Sequence, residues 1–448
     1  MEKPDRKPAL LLTVGTGDVA NLEQTLLVPI RKSIQQGEWA KVILIPSALT
    51  EAYARSVRES SQGLPIEIRP LPREGLENDV DACYAHLDEL IAQLRAEAFE
   101  PHELVADFTR GTKAMSAALV LAAVRHDLPR LRYIQGERDR RGMVIPGTEV
   151  VSEVQTTLAT GRKQLDVSFR FFRSGNFAAA LNLLPEPASP SAPLLPPELL
   201  QIADRVRPML QFYAHWDRLD YKEACKIDLA SPPAASEWTP LAPTPQMKEW
   251  VKHLAEPFPK GDDPASYREK GSRLRLLAAD LLANGERRIR DGQTEDAVVR
   301  AYRVVELVGQ TRLFDKGLDS SRLPPNDEEV IRLRGKIKKA KAQADFGTNP
   351  NGTLTAPRLL TARLLKAKGD PLARRLIATG ETDLLKGRNK SLLIHGFEAS
   401  GPADRRPLKD LFRELEEIIV EDGGEDARRH LSLARSLHLV SGSIVGVT

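Results

Sequence analysis

Ala9-Leu10-Leu11-Leu12-Thr13-Val14-Gly15-Thr16-Gly17 is a short apolar run that stops at a glycine turn. Nothing in Ala9–Thr13 alternates, so a strand built from it must be covered on both faces, as in a parallel sheet. A helical stretch from about Asn21 to Gln36 follows, then a second continuous run, Lys41–Pro46, with Val-Ile-Leu-Ile at its centre. Pro65–Leu71 predicts a third strand, Asn78–Ala98 a helix, Leu104–Thr109 a fourth strand, and Lys113–Arg125 an Ala-rich helix. Leu131–Ile134 and Gly142–Ile145 predict two more strands around the charged turn Glu137–Arg141. This alternation predicts a doubly wound α/β, Rossmann-like domain over residues 1–155.

Beyond Val154 the strand signal ends. A helix through Phe169–Arg173 turns at Ser174-Gly175-Asn176 and resumes over Phe177–Leu184. Pro185–Pro197 holds six prolines and reads as an extended linker. Further helices are expected over Leu199–Tyr213, Tyr221–Ile227 and Met247–Leu254. From Tyr267 the pattern stays helical: Leu274–Arg290, Glu295–Leu313, Asp327–Ala344, Arg358–Lys366, Pro371–Ile377, Leu384–Ile394, Leu408–Val420 and Asp426–Leu439. A loop over Phe346–Pro357 interrupts them. The division expected is therefore 1–155, a helical connector over 156–266, and an all-α domain over 267–448. Gly175-Asn176-Phe177-x-x-Ala180 is echoed by Leu219-Asp220-Tyr221-x-x-Ala224 and Gly292-Gln293-Thr294-x-x-Ala297. Such grammar recurs in helical repeats, though ordinary αα-hairpins share it.

With 448 residues the chain needs no disulfide or metal staple to hold a core. Its 65 basic and 62 acidic residues leave a net +3, so any nucleic-acid surface must be a local patch. The apolar share of 41% is that of a globular protein, and the longest apolar runs are far too short to span a membrane. Cys83 and Cys225 lack CxxC spacing, which excludes a zinc finger. The polar N-terminus has no signal-peptide core, and a cytoplasmic protein is expected. No Walker loop, GxSxG elbow, HExxH or carboxylate cluster is present, so neither a P-loop nucleotide site nor a metal site is expected.

Ligands of doubly wound sheets bind beyond the carboxyl ends of the strands. Gly15-Thr16-Gly17-Asp18-Val19-Ala20 formally fits a dinucleotide fingerprint, but Pro46-Ser47 stands where a ribose-binding acid should end the second strand. A nicotinamide enzyme is thereby disfavoured. The loop after the fourth strand, Asp107-Phe108-Thr109-Arg110-Gly111-Thr112-Lys113-Ala114-Met115, offers a hydroxyl on Thr109, a glycine for close backbone approach and a capping Thr112. Arg110 and Lys113 add charge at a helix N-terminus, a setting suited to phosphates. A capped helix with solvated basic residues has the same sequence.

Together these loops resemble the CRISPR-associated Rossmann-fold (CARF) sensor domain over about residues 8–150, although that family more often has glycine where this chain has Arg110. The resemblance implies a dimer that binds a cyclic oligoadenylate through Gly15, Thr16, Gly17, Ser47, Thr109, Arg110, Gly111, Thr112 and Lys113. It also allows that the sensor cleaves its own ring.

In the helical half, Gly387-Arg388-Asn389-Lys390-Ser391-Leu392-Leu393-Ile394-His395-Gly396 sets Arg388 and His395 seven residues apart. Seven steps of about 100° return them to one helix face, roughly 10 Å apart. Arginine stabilises phosphate charge and histidine moves protons near neutral pH. This spacing is common, and a surface arginine near a half-buried histidine satisfies it equally. Behind a sensor-like domain, however, Arg388-Asn389 and His395 resemble the R-x4–6-H motif of HEPN ribonucleases, over about residues 268–448. Arg300–Leu307 is similar to the first HEPN helix, which makes Glu306 an orienting candidate. The resemblance implies a homodimer cutting single-stranded RNA without a metal or cofactor, through Arg388, Asn389 and His395, and leaving a 2′,3′-cyclic phosphate. Arg332, Arg334, Lys336, Lys338, Lys339 and Lys341 add a basic stretch that fits RNA phosphates or a solvated helix face. The rival expectation is a ligand-controlled binding protein with a CARF sensor and no nuclease activity.

Overall fold

The computed structural model describes residues 6–17, 19–137, 140, 144–145, 147–184, 196–229, 237–339, 345–387 and 405–441. They fall into two compact units, one drawn from Met1–Val167 and Leu183–Asp204, the other from Ser168–Asn182 and Arg205–Thr448.

The first unit is built on six strands: β1 Ala9–Val14, β2 Lys41–Pro46, β3 Ile66–Ile68, β4 Leu104–Asp107, β5 Arg130–Gln135 and β6 Val150–Gln155. Their order is β3-β2-β1-β4-β5-β6, parallel through β5, with β6 antiparallel at the edge. The helices are α1 Val28–Gln35, α2 Glu51–Ser60, α3 Val80–Ala96 and α4 Lys113–Arg125. The continuous apolar strands are explained by their two faces. Ala9, Leu11, Ile43, Ile45 and Ala106 join Leu87, Ile91, Met115 and Leu119 of α3 and α4 in one core. Leu10, Leu12, Val14, Val42 and Leu44 join Ile30, Ile34, Ala54 and Val57 of α1 and α2 in the other. Side chains of a strand alternate between faces, so a strand with helices on both sides is apolar throughout.

One strand expectation and one helix expectation need correction. The strand paired with β5 is Val150–Gln155 and not Gly142–Ile145. Gly142 lies outside the described residues, and Val144 makes only an isolated bridge. β6 is an edge strand with Val150 58% and Val154 41% exposed, so it carries no buried-strand pattern. The helix expected from Asn21 begins irregularly, with a 3₁₀ turn over Val19–Asn21 and a π turn over Glu23–Leu27. Pro29, in the first turn of α1, has no N–H to give to the turn before it.

Further along the chain come α5 Thr157–Arg173, α6 Phe177–Asn182, α7 Pro197–Asp217, α8 Tyr221–Lys226, α9 Pro245–Ala255, α10 Pro264–Arg290, α11 Thr294–Phe314 and α12 Glu328–Lys339. The expected loop over Phe346–Pro357 holds a short hairpin of two-residue strands, β7 Gly347–Thr348 with β8 Leu354–Thr355. Then follow α13 Arg358–Ala367, α14 Ala373–Gly380, α15 Asp383–Gly387 and α16 Arg405–Ser441. α16 is the expected pair of C-terminal helices joined across a break at Gly424 (φ 59, ψ −131).

The echoed motif is three αα-hairpins with one turn geometry. At Gly175, Leu219 and Gly292 φ is +81, +63 and +79. In each turn the next residue donates its N–H five residues back: Asn176 to Phe171, Asp220 to His215 and Gln293 to Arg288, at 2.8–2.9 Å. This is the Schellman helix ending. The alanine closing each motif, Ala180, Ala224 or Ala297, is at most 1% exposed. The second hairpin and α9 are tied to α10 by one carboxylate. Asp280, wholly buried, accepts Trp216 Nε1 at 2.9 Å, Tyr221 Oη at 2.8 Å and Trp250 Nε1 at 3.2 Å. α10 also packs along α11 and α16 to form the helical core.

Candidate functional site

The strand order reverses between β1 and β4, which pair directly with Leu12 opposite Asp107. Both glycine-bearing loops therefore leave the sheet side by side at the switch point, where doubly wound folds bind ligands. They interlock through backbone. Gly15 N–H donates to the Arg110 carbonyl. A Cβ on Gly15 would stand 2.5 Å from that oxygen and 3.1 Å from the Gly111 carbonyl carbon. A Cβ on Gly111 would stand 2.6 Å from Thr13 Oγ1 and 3.0 Å from Met115 Cβ. Both glycines thus serve contact between the loops. Thr13 lies wholly buried beneath them, and its Oγ1 has no hydrogen-bond partner.

The hydroxyls named from the sequence are held inward. Thr109 Oγ1 donates to Asp107 Oδ1 and accepts the Ile134 N–H at 2.9 Å, fixing the loop to β5. Thr112 Oγ1 donates to the Glu77 carbonyl and caps α4 by accepting the Met115 N–H at 3.1 Å. Ser47 is buried, with its hydroxyl 3.2 Å from that of Thr50, which donates to the Val14 carbonyl at 2.7 Å. Ser47 thereby helps to hold the end of β2 against the end of β1. Thr16, Gly17 and Lys113 are exposed, and Arg110 is half-buried.

Asp107 was visible in the motif, but its role was not. It is fully buried and accepts the Ser33 hydroxyl as well as the Thr109 N–H at 2.8 Å. Burial pushes its carboxyl above the ordinary value of 3.8, against the hydrogen bonds from Ser33 and Thr109 and the nearby charge of Arg132. The available signal for Ser33 was a serine within the apolar face formed by Ile30 and Ile34. The edge is thus a set of tethered hydroxyls with the exposed Lys113 at the α4 N-terminus and the half-buried Arg110 beside it, which suits an anionic ligand.

In the helical half, Glu306 is half-buried on α11 and pairs with Arg303 one turn before it. α11 packs on α10, α13, α14, α15 and α16, and α15 ends at Gly387, the residue before Arg388. Arg388, Asn389 and His395 lie outside the described residues. Of the basic stretch, Arg332 and Lys336 are exposed, Arg332 being paired with Glu329 at 3.2 Å. The side chains of Lys338, Lys339 and Lys341 are outside the described set. Among the described residues no three His, Cys, Asp or Glu side chains converge as metal ligands, and no helix is long and apolar enough to cross a membrane.

Residues 267–419 match the family model of the Csm6 HEPN domain. The CRISPR system endoribonuclease Csm6 of Thermus thermophilus is 27% identical over 371 residues, spanning 74% of this chain and 71% of that protein. Enterococcus italicus Csm6, solved with cyclic hexa-2′-fluoro-hexa-dAMP, superposes with a TM-score of 0.55 at 11% identity, covering 97% of this chain and all of that one. The last likeness is one of fold: a Rossmann-like domain followed by helices. Residues 267–419 thus match a Csm6-type HEPN domain, and over most of its length the chain is similar to a CRISPR-associated CARF–HEPN ribonuclease.

Proposed function

We propose that the chain is an endoribonuclease of type III CRISPR defence, switched on by a cyclic oligoadenylate. The observation that carries this is the Csm6 HEPN match over residues 267–419, downstream of a sheet edge whose β4 loop offers Arg110, Lys113 and a helix N-terminus. The cyclic oligonucleotide in the Enterococcus protein supports the choice of activator class. In this reading the protein is a cytoplasmic homodimer, with residues 1–155 as sensor, 156–266 as connector and 267–448 as nuclease. Thr16, Gly17, Arg110 and Lys113 meet the ring, while Gly15, Ser47, Thr109, Gly111 and Thr112 hold the loops that present them.

The chemistry assigned to the helical half needs no metal. A ribose 2′-hydroxyl of single-stranded RNA attacks the adjacent phosphorus, a P–O bond forms, and the bond to the 5′-oxygen of the next nucleotide breaks. The products are a 2′,3′-cyclic phosphate and a 5′-hydroxyl. His395 handles the transferred proton, and Arg388 offsets the charge that gathers on the phosphate oxygens. Asn389 and Glu306 orient the pair. The test incubates purified protein with labelled RNA in EDTA, with and without each cyclic oligoadenylate. Cleavage is expected with one ring size only and unchanged by EDTA. Equal cleavage without any ring, or none with all of them, overturns the reading.

A further inference from the structure

The three hairpin turns meet at one place. A cavity of about 680 Å³ in the second unit is lined by Asn176 of the first turn, Asp217 and Arg218 of the second, and Arg288, Gln293 and Arg300 around the third. The volume is that of a small-ligand pocket. Its charged lining is three arginines, Arg218, Arg288 and Arg300, with two carboxylates, Asp217 and Asp291. A single carboxylate, Asp217, serves two guanidiniums: Oδ1 accepts Arg287 Nε at 2.7 Å and Oδ2 accepts Arg288. Burial works against ionisation of Asp217, yet the two arginines outweigh it and hold its carboxyl below the ordinary value. Arg287 is 1% exposed, and both its Nη atoms are buried without a hydrogen-bond partner, as is Arg288 Nε. Buried donors of a charged group are normally satisfied. Here they lie buried behind Asp217, while Arg288 itself and the exposed Arg218 line the cavity.

We propose that this cavity binds phosphate groups, of a polynucleotide strand or of a free nucleotide, without reading the base. Guanidinium forks match phosphate oxygens, and Arg218, Arg288 and Arg300 bring three of them to the cavity wall. The aromatic residue of the lining, Phe177, is 2% exposed and turned into the core, so no ring is offered for base stacking. The proposal does not rest on the nuclease assignment.

The test uses the full chain, a fluorescent 2′-O-methyl oligouridylate, UMP and inorganic phosphate. The oligouridylate lacks the hydroxyl needed for cleavage, and uridylates avoid a sensor specific for adenylate. Arg218→Glu changes an exposed residue, and Arg300→Gln keeps a hydrogen-bonding side chain. Each is expected to weaken binding roughly tenfold, and Arg218→Glu to flatten the salt dependence by about one phosphate contact. Loss confined to the oligouridylate identifies a strand as the source, whereas loss also for UMP or phosphate identifies a free nucleotide. No binding by wild type at low salt, or binding unchanged in both variants, overturns the site. Cleavage is not read, so failure here is separate from failure of the nuclease reading.

Discussion

Replacing Gly15 by alanine tests whether the two sensor loops depend on backbone contact. The new Cβ would stand 2.5 Å from the Arg110 carbonyl oxygen and 3.3 Å from the Thr112 nitrogen. Ordinary carbon–oxygen contacts begin near ~3.3 Å, so the loops must part by roughly 0.8 Å. Both neighbours are backbone, and Gly111 behind them is already against Thr13 and Met115, so neither loop has room to retreat. Overpacking of this kind costs about 1–3 kcal/mol, and parting the loops also breaks the Gly15–Arg110 hydrogen bond, worth about 1 kcal/mol. The expected loss is about 2–4 kcal/mol of stability in the first unit. Gly63→Ala is the control: its Cβ meets nothing within 4 Å, and only its φ of +88 is penalised, by about 1 kcal/mol. Hydrogen exchange of peptides covering β1 and β4 reads the difference locally, and calorimetry reads activator affinity, expected to fall at least tenfold for Gly15→Ala. Exchange within about 0.5 kcal/mol of wild type, with unchanged affinity, would refute the interlock.

Three further outcomes follow from the same edge. Thr13→Val keeps the shape but removes a buried hydroxyl without a partner, so thermal unfolding should show no loss and a gain of up to about 1 kcal/mol. Asp107 holds its proton more tightly folded than unfolded, so its contribution favours the fold below pH 3.8 and is lost as pH rises through the raised value. Asp107→Asn should remove that downward slope in a urea titration series taken from pH 3.5 upward, and an identical slope in both proteins would contradict it. Lys113→Ala, at the exposed first position of α4, should weaken activator binding by about 1–3 kcal/mol with melting unchanged, and unaltered calorimetric affinity would misplace the ligand.

The parts legible in the sequence are those whose pattern is set locally. β1 and β2 stood out because burial on both faces leaves no polar residue between Leu10 and Leu12 or Val42 and Ile45. β6 did not, because an edge strand with exposed valines shares its pattern with loops. The glycines of both loops were visible, but not that they face each other, since that depends on β1 lying beside β4. The same adjacency brings Ser33 to Asp107 across 74 residues of sequence. The hydroxyls of Ser47, Thr109 and Thr112 look alike as ligand donors or as internal tethers until their partners are known. The repeated turn was readable as grammar, whereas the convergence of its three copies on one arginine-lined cavity belongs to packing alone.

In the proposed assignment Arg388 and His395 carry RNA cleavage while the sheet edge carries sensing. His395→Ala, assayed beside wild type with fluorogenic RNA and saturating cyclic oligoadenylate in EDTA, tests it most directly. Loss of a general acid–base group lowers rates by roughly 10²- to 10⁴-fold, so turnover should fall at least about a hundredfold. Activator affinity, measured on the same preparation, should stay the same, because His395 lies in the helical half. Cleavage by His395→Ala at the wild-type rate would contradict the nuclease assignment and leave a ligand-controlled binding protein in its place.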